Sequence, residues 1–258
     1  TAATGRDVAM KAIEVRAHNV ANTGNDGFKA FELATTDLAY SHYQRAGVTE
    51  LDGASPRPVG VTVGSGAKVS GVFRINTQGG TKHTDQPLDM LISGTGYFGI
   101  QLPNGRIAYT RNGRFHRNNE GRIANAQGFE LVSGVDNIPD NLDIKTLTIN
   151  PDGRVQILDG NNILQDLGNI PIFKFANEEG LLSESGGLMF ETEASGPPVE
   201  GVPKTENYGE LLQRALEESN VSPVKELTAL IEAQRAYELG SKVIKAVDDM
   251  LQAANNIK

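Results

Sequence analysis

Ser222-Pro223-Val224-Lys225-Glu226-Leu227-Thr228-Ala229-Leu230-Ile231-Glu232-Ala233-Gln234-Arg235-Ala236-Tyr237-Glu238 opens the most regular stretch of the chain. Ser222 is a helix-capping residue type, and Pro223 sits at the first helical position, where a missing N–H costs nothing. No proline follows, so the pattern predicts a helix to about Asn255, roughly 50 Å long at 1.5 Å per residue. Along it Ala229, Ala233, Ala236, Gly240, Val243, Val247, Met250, Ala254 and Ile257 alternate at spacings of four and three, the heptad rhythm of a coiled-coil seam. A second ridge, Leu227, Leu230, Tyr237, Ile244 and Leu251, lies on a neighbouring face. A helix on the outside of a globular domain needs one apolar stripe, so two ridges imply more than one packing partner.

The other end of the chain offers a partner. Residues 3 to 22 carry a helical pattern, with Ala9, Ile13 and Val20 on one line and Met10, Ala17 and Ala21 beside it. It stops at Asn22-Thr23-Gly24-Asn25-Asp26-Gly27, residue types that supply the left-handed conformations of a helix end and turn. Because the chain opens at Thr1 already inside this pattern, a few residues are expected to precede it.

Between the ends the rhythm changes. Residues 47 to 66 hold Pro56, Pro58 and five glycines, which predicts an extended, irregular arm. Beyond it, Phe98, Ile100 and Leu102 alternate with Tyr97, Gly99 and Gln101 until Pro103-Asn104-Gly105 turns the chain into Ile107 to Thr110. Further turns stand at Asn112-Gly113, Glu120-Gly121, Asp152-Gly153 and Asp159-Gly160. The expected fold class is therefore α+β: terminal helices forming a coiled-coil core domain, an inserted, mainly antiparallel β domain, and a Pro/Gly-rich arm. The expected boundaries are an N-terminal helix over 1–30, a connecting segment over 31–75, the β domain over 76–206 and the C-terminal helix over 207–258.

Composition excludes several chemistries. With 24 Lys and Arg against 32 Asp and Glu, the chain has a formal charge of -8, and it shows no basic stripe for nucleic acid. It has no cysteine, so disulfides, thiolate metal sites and cysteine nucleophiles are absent. No apolar run approaches the ~20 residues of a membrane helix, and no secretory leader pattern is visible.

Gly94-Thr95-Gly96-Tyr97-Phe98-Gly99 matches G-x-G-x-x-G, but a dinucleotide site needs a helix after the glycines and the residues here alternate like a strand. Asp136, Asp140, Asp143 and Asp152 fall among Asn, Pro and Gly without a calcium-loop register. The histidines 18, 42, 83 and 116 are dispersed, and no serine sits in a nucleophile elbow. Tyr97, Phe98, Tyr109, Phe115 and Phe129 lie in strand-like runs, which makes them core residues before ligand-stacking ones. No catalytic residue, cofactor or metal ligand is expected.

Several segments resemble one family. Asn19-Val20-Ala21-Asn22 followed by Gly27-Phe28-Lys29 is similar to the N-terminal signature of bacterial flagellar rod and hook proteins. Ser219-Asn220-Val221, Glu226-Leu227, Ile231 and Gln234-Arg235-Ala236-Tyr237-Glu238 resemble their C-terminal signature. Pro87-Leu88-Asp89, Gly94 to Phe98 and Tyr109 to Phe115 resemble the β domain between. Length and the 47–66 segment match the distal-rod members better than the shorter proximal-rod or longer hook proteins. Gly240 departs from the family's usual Asn before Ser241.

The resemblance implies a structural subunit that polymerises with itself into a hollow drive shaft in the basal body. It implies neighbours as well: proximal rod proteins, the hook protein or hook cap, and the surrounding P and L ring proteins. Export would run through the flagellar type III apparatus. The residues it singles out for subunit assembly are Asn19, Asn22, Gly27, Phe28, Leu227, Gln234, Arg235 and Tyr237. Gly27 would permit the turn and Phe28 anchor it; Leu227 and Tyr237 would pack; Gln234 and Arg235 would bond across helices. A segment 47–66 bracing neighbouring subunits would stiffen the polymer. The alternatives are another axial protein of the same family, from the proximal rod or the hook, and more remotely a stalked β-domain adhesin.

Overall fold

A computed structural model of the chain describes residues 1–44, 60–135, 137–138, 144–158 and 164–255. It holds two α-helices, α1 (Ala2–Ala21) and α2 (Pro223–Asn255), with short strands between them. Two compact units result. The first joins Thr1–Ala21, Phe31–Arg74 and Ser222–Lys258; the second joins Asn22–Ala30 and Ile75–Val221.

The first unit contains both helices and four strands, β1 (Phe31–Asp37), β2 (Tyr40–Gln44), β3 (Val61–Gly64) and β4 (Ala67–Arg74). β1 and β4 pair antiparallel from Phe31↔Arg74 to Asp37↔Ala67, with a bulge between Ala34 and Thr35. β2 and β3 pair from Tyr40↔Gly64 to Gln44↔Val61. The end of the 47–66 stretch is thus a paired strand, not the irregular arm expected there: Val61-Thr62-Val63 has the β-branched composition that suits a pleated ribbon. Residues 47–59 of that stretch lie outside the described residues.

α2 begins at the expected cap, where the Glu226 N–H donates to the Ser222 carbonyl at 3.0 Å. It lies antiparallel to α1: Arg16 meets Glu226 at one end, and a Cβ on Gly240 would stand 3.4 Å from the Arg6 Cβ at the other.

The expected coiled-coil core domain is corrected. The described chain is mostly β, with only these two helices, and its apolar core lies elsewhere. Glu226 is the one buried residue of α2, while Val243, Val247 and Met250 of the proposed seam stay 51, 45 and 64% exposed. The half-buried face is drawn from both ridges, Leu230, Ala233, Tyr237, Gly240 and Ile244. Alanine and glycine carry too little side-chain area to build a sealed layer.

The second unit holds that core. A seven-stranded antiparallel sheet runs in the order Leu182–Ser183, Met189–Phe190, Ile107–Thr110, Phe98–Gln101, Glu130–Leu131, Ile123–Asn125, Phe115–Arg117. Three-stranded and two-stranded antiparallel ribbons complete it. Met90, Ile92, Phe98, Ile100, Phe115 and Val155 belong to one buried cluster, and Tyr97, Tyr109, Phe173 and Phe175 to another. Tyr97, Phe98, Tyr109 and Phe115 are therefore core, while Phe129 packs half-buried against it. Tyr109 meets Phe173 and Phe175 edge-on, at centroid distances of 5.5 and 4.8 Å.

The glycine-rich run is an entry to a strand. Gly94 and Gly96 have φ of 111° and 138°, conformations that suit glycine, and Phe98–Gln101 follows directly as a strand. Asp136, Asp140 and Asp143 lie outside the described residues, as does the turn at Asp159-Gly160.

Candidate assembly site

In the first unit Asn19 is wholly buried at the end of α1. Its amide nitrogen donates to the Phe31 carbonyl at 2.8 Å, and its amide oxygen accepts the Phe31 N–H at 2.9 Å. The same nitrogen donates to the Glu226 carboxylate at 3.2 Å, and Arg16 donates to both oxygens of that carboxylate at 3.2 Å. One asparagine thereby ties α1, β1 and the first turn of α2. Glu226 is favoured there on two counts: it faces a guanidinium, and it stands near the positive end of the helix dipole.

α2 then presents a largely open surface. Leu227 is 46% exposed, Gln234 and Arg235 are exposed, and Tyr237 is half-buried. Val224, Ile231, Leu239 and Leu251 add exposed apolar area along the same helix.

In the second unit the segment Asn22–Ala30 is shaped by polar contacts. The Asn25 side-chain amide donates to the Asn22 side chain at 2.7 Å, and the Asn25 N–H donates to the Asn22 carbonyl at 3.1 Å. Gly27 has φ 72°, and a Cβ there would lie 2.7 Å from backbone atoms of Arg111 and Asn112, so both conformation and space select glycine. Its N–H donates to the Glu217 carbonyl at 2.6 Å. Phe28 is half-buried, and its carbonyl accepts the Asn220 N–H at 3.3 Å.

Beside this turn sits a buried ionic triad. Lys29 Nζ donates to Glu217 Oε1 at 2.5 Å and to the Thr77 carbonyl at 2.8 Å; Arg111 Nη1 stands 3.6 Å from Glu217 Oε2. Arg111 also donates to the Ile92 carbonyl and lies over the Tyr97 ring, 5.0 Å from its centroid. Burial pulls the Lys29 ammonium below the usual lysine range, and the Glu217 carboxylate only partly offsets that.

Asn220 completes the segment. It accepts the Ala30 N–H at 2.7 Å, and its side-chain nitrogen donates to the carbonyls of Ile75 and Thr77.

The sequence-derived residues thus fall into separate groups. Asn19 works inward within the first unit; Leu227, Gln234, Arg235 and Tyr237 line α2; Asn22, Gly27 and Phe28 form a turn of the second unit. The sequence alone gives no role to Lys29, Glu217, Asn220 and Glu226. Three of them stand inside the signature motifs, and that was the signal available.

Two family models match the chain. The description "Flagellar basal body rod FlgEFG protein C-terminal" covers residues 212–257, and "Flagellar hook protein FlgE/F/G D1 domain" covers residues 91–157. The flagellar basal-body rod protein FlgG of Caulobacter vibrioides is 42% identical across 100% of this chain and 98% of its own length. Its counterparts in Borreliella burgdorferi and Bacillus subtilis are 36% and 32% identical, over 100% and 95% of this chain and 97% and 93% of their own. A match of 42% identity that spans the whole chain, with both family models, makes this chain a member of the FlgG family of flagellar basal-body rod proteins.

Proposed function

We propose that copies of this chain pack through the apolar surface that α2 leaves open, and that this contact builds a hollow helical shaft. Family membership makes the chain a structural subunit of the flagellar distal rod, not an enzyme, and supports self-assembly into the axial structure of the basal body. The observation that carries the finer reading is on α2. Leu227, Ile231, Val243, Val247, Met250 and Leu251 are 45 to 64% exposed on a single helix. An apolar surface of this extent is the mark of an interaction face.

Leu227 and Tyr237 supply packing in that contact, and Gln234 and Arg235 supply hydrogen bonds to a neighbouring helix. Asn19 holds the first turn of α2 within its own unit, and Asn22, Gly27 and Phe28 shape a turn of the second unit that takes part in assembly. Repeated head-to-tail contacts that do not close generate a helical tube, and a tube of rigid subunits transmits torque and encloses an export channel. Proximal rod proteins and the hook protein or hook cap are its axial neighbours, and the P and L rings surround it. Delivery runs through the flagellar type III apparatus.

Electron microscopy of the purified chain across a concentration series tests this. Wild-type protein is expected to form tubes, and Leu227→Glu and Val243→Glu are expected to stay monomeric with unchanged β-sheet signal. Tubes formed equally well by both variants would remove α2 from the contact.

A further inference from the structure

We propose that the Lys29–Glu217–Arg111 triad is a registration lock: it fixes the position of segment Asn22–Ala30 on the β unit and adds no net folding stability. This inference concerns the fold of the single chain and stands apart from the assembly reading.

Apart from the triad, the segment is held by backbone hydrogen bonds at Gly27, Phe28 and Ala30, by the Asn220 side chain and by the Arg114–Asp26 ion pair at 2.7 Å, while apolar packing adds little. Phe28 is its one large apolar side chain and is half-buried, whereas the buried residues are Lys29 and Ala30. An apolar contact tolerates a slip of one residue. A buried carboxylate does not, because a slip would leave Glu217, 1% exposed, facing an alanine or a phenylalanine in place of an ammonium. The lock is also drawn from distant parts of the chain. Glu217 Oε1 accepts from Lys29 and from the Gly79 N–H, and Lys29 reaches the Thr77 carbonyl, so one carboxylate sets three segments against each other.

Stability is a different matter. Two cations face one nearby anion, with Glu178 the next carboxylate in the field of Lys29 and itself engaged by the Tyr97 hydroxyl. Arg111 Nε and Glu217 Oε2 have no hydrogen-bond partner among the described residues. Desolvating three charges with incomplete pairing consumes what their attraction returns, which is why apolar replacement of buried triads is often neutral or stabilising.

The experiment replaces all three charges at once, in two versions that guard against a packing clash: K29M/R111M/E217L and K29L/R111L/E217M. Urea unfolding and amide exchange are read on each monomer. The expected result is a midpoint equal to or above wild type in at least one version, with exchange at the Gly27 and Ala30 amides at least about tenfold faster. A lower midpoint in both, or failure of both to fold, would show that the charges carry stability and overturn the proposal. Wild-type protection at Gly27 and Ala30 in a folded triple variant would overturn it equally. Neither readout involves polymer, so a failed assembly reading would leave the result standing.

Discussion

Asn19 makes with Phe31 the pair of hydrogen bonds that a neighbouring strand residue would make, donating to its carbonyl and accepting from its N–H. A side chain on a helix thus substitutes for a strand and fixes where β1 begins. Asn19→Ala removes these bonds and the one to Glu226, and is expected to cost about 2–3 kcal/mol in urea unfolding. Asn19→Asp should cost more at neutral pH, because a second carboxylate would face Glu226, and should recover towards the alanine value on acidification. Equal midpoints for the two variants at all pH values would place the Asn19 amide outside the Glu226 field.

The two glycines flagged in the sequence predict opposite outcomes. Gly240 lies within α2, and a Cβ there meets its nearest neighbour, the Arg6 Cβ, at 3.4 Å, an ordinary contact. Gly240→Ala is therefore expected to stabilise by about 1 kcal/mol through helix propensity. Gly27→Ala combines a left-handed φ with a 2.7 Å backbone overlap, and is expected to destabilise by roughly 3 kcal/mol. Thermal melts by circular dichroism read both.

Alkaline titration separates two buried groups. Lys29 has a lowered pKa in the fold, so the unfolded chain binds the extra proton, and stability is expected to rise with pH up to the ordinary lysine value of 10.5. Tyr109 is shifted the other way, by burial and then by Glu191, to about 12. Its stabilising contribution is full below the unfolded value of 10 and is lost as pH climbs from 10 towards 12. Urea midpoints from pH 7 to 12 should flatten below pH 10 in Lys29→Met and above it in Tyr109→Phe. A rise that survives in Lys29→Met would assign it to another group.

The segment 47–66 supplies a mechanical prediction. If it braces neighbouring subunits, deletion of residues 47 to 59, which leaves β3 in place, should yield tubes with a shorter persistence length, measured from their curvature in electron micrographs. Unchanged stiffness would remove the brace from the account.

Local features were legible in the sequence because local chemistry sets them. The Ser222-Pro223 cap, the end of α1 before Asn22 and the Pro103-Asn104-Gly105 hairpin each follow from residues adjacent in the chain. The 97–102 alternation located a strand for the same reason. What covers a face is not local. The heptad rhythm of α2 reports apolar spacing but not burial, and the face that is half-buried proved to cut across both ridges. The Lys29–Glu217 pair spans 188 residues, and single charged residues leave no periodic trace. β3 was hidden by its setting, since prolines and glycines nearby argued against any strand.

The chain's two ends meet in the first unit, while the second is nearly continuous from Ile75 to Val221. Closing a loop of that length carries an entropic cost before any terminal contact returns free energy, so long-range closure is slow. The sheet hairpins, closed across turns of a few residues, are therefore expected to condense first, and α1 to wait for α2. Pulse-labelled exchange would record this as protection at Phe98–Thr110 ahead of protection in α1. For a chain emerging N-terminus first from any pore, the earliest residues out are among the last to settle.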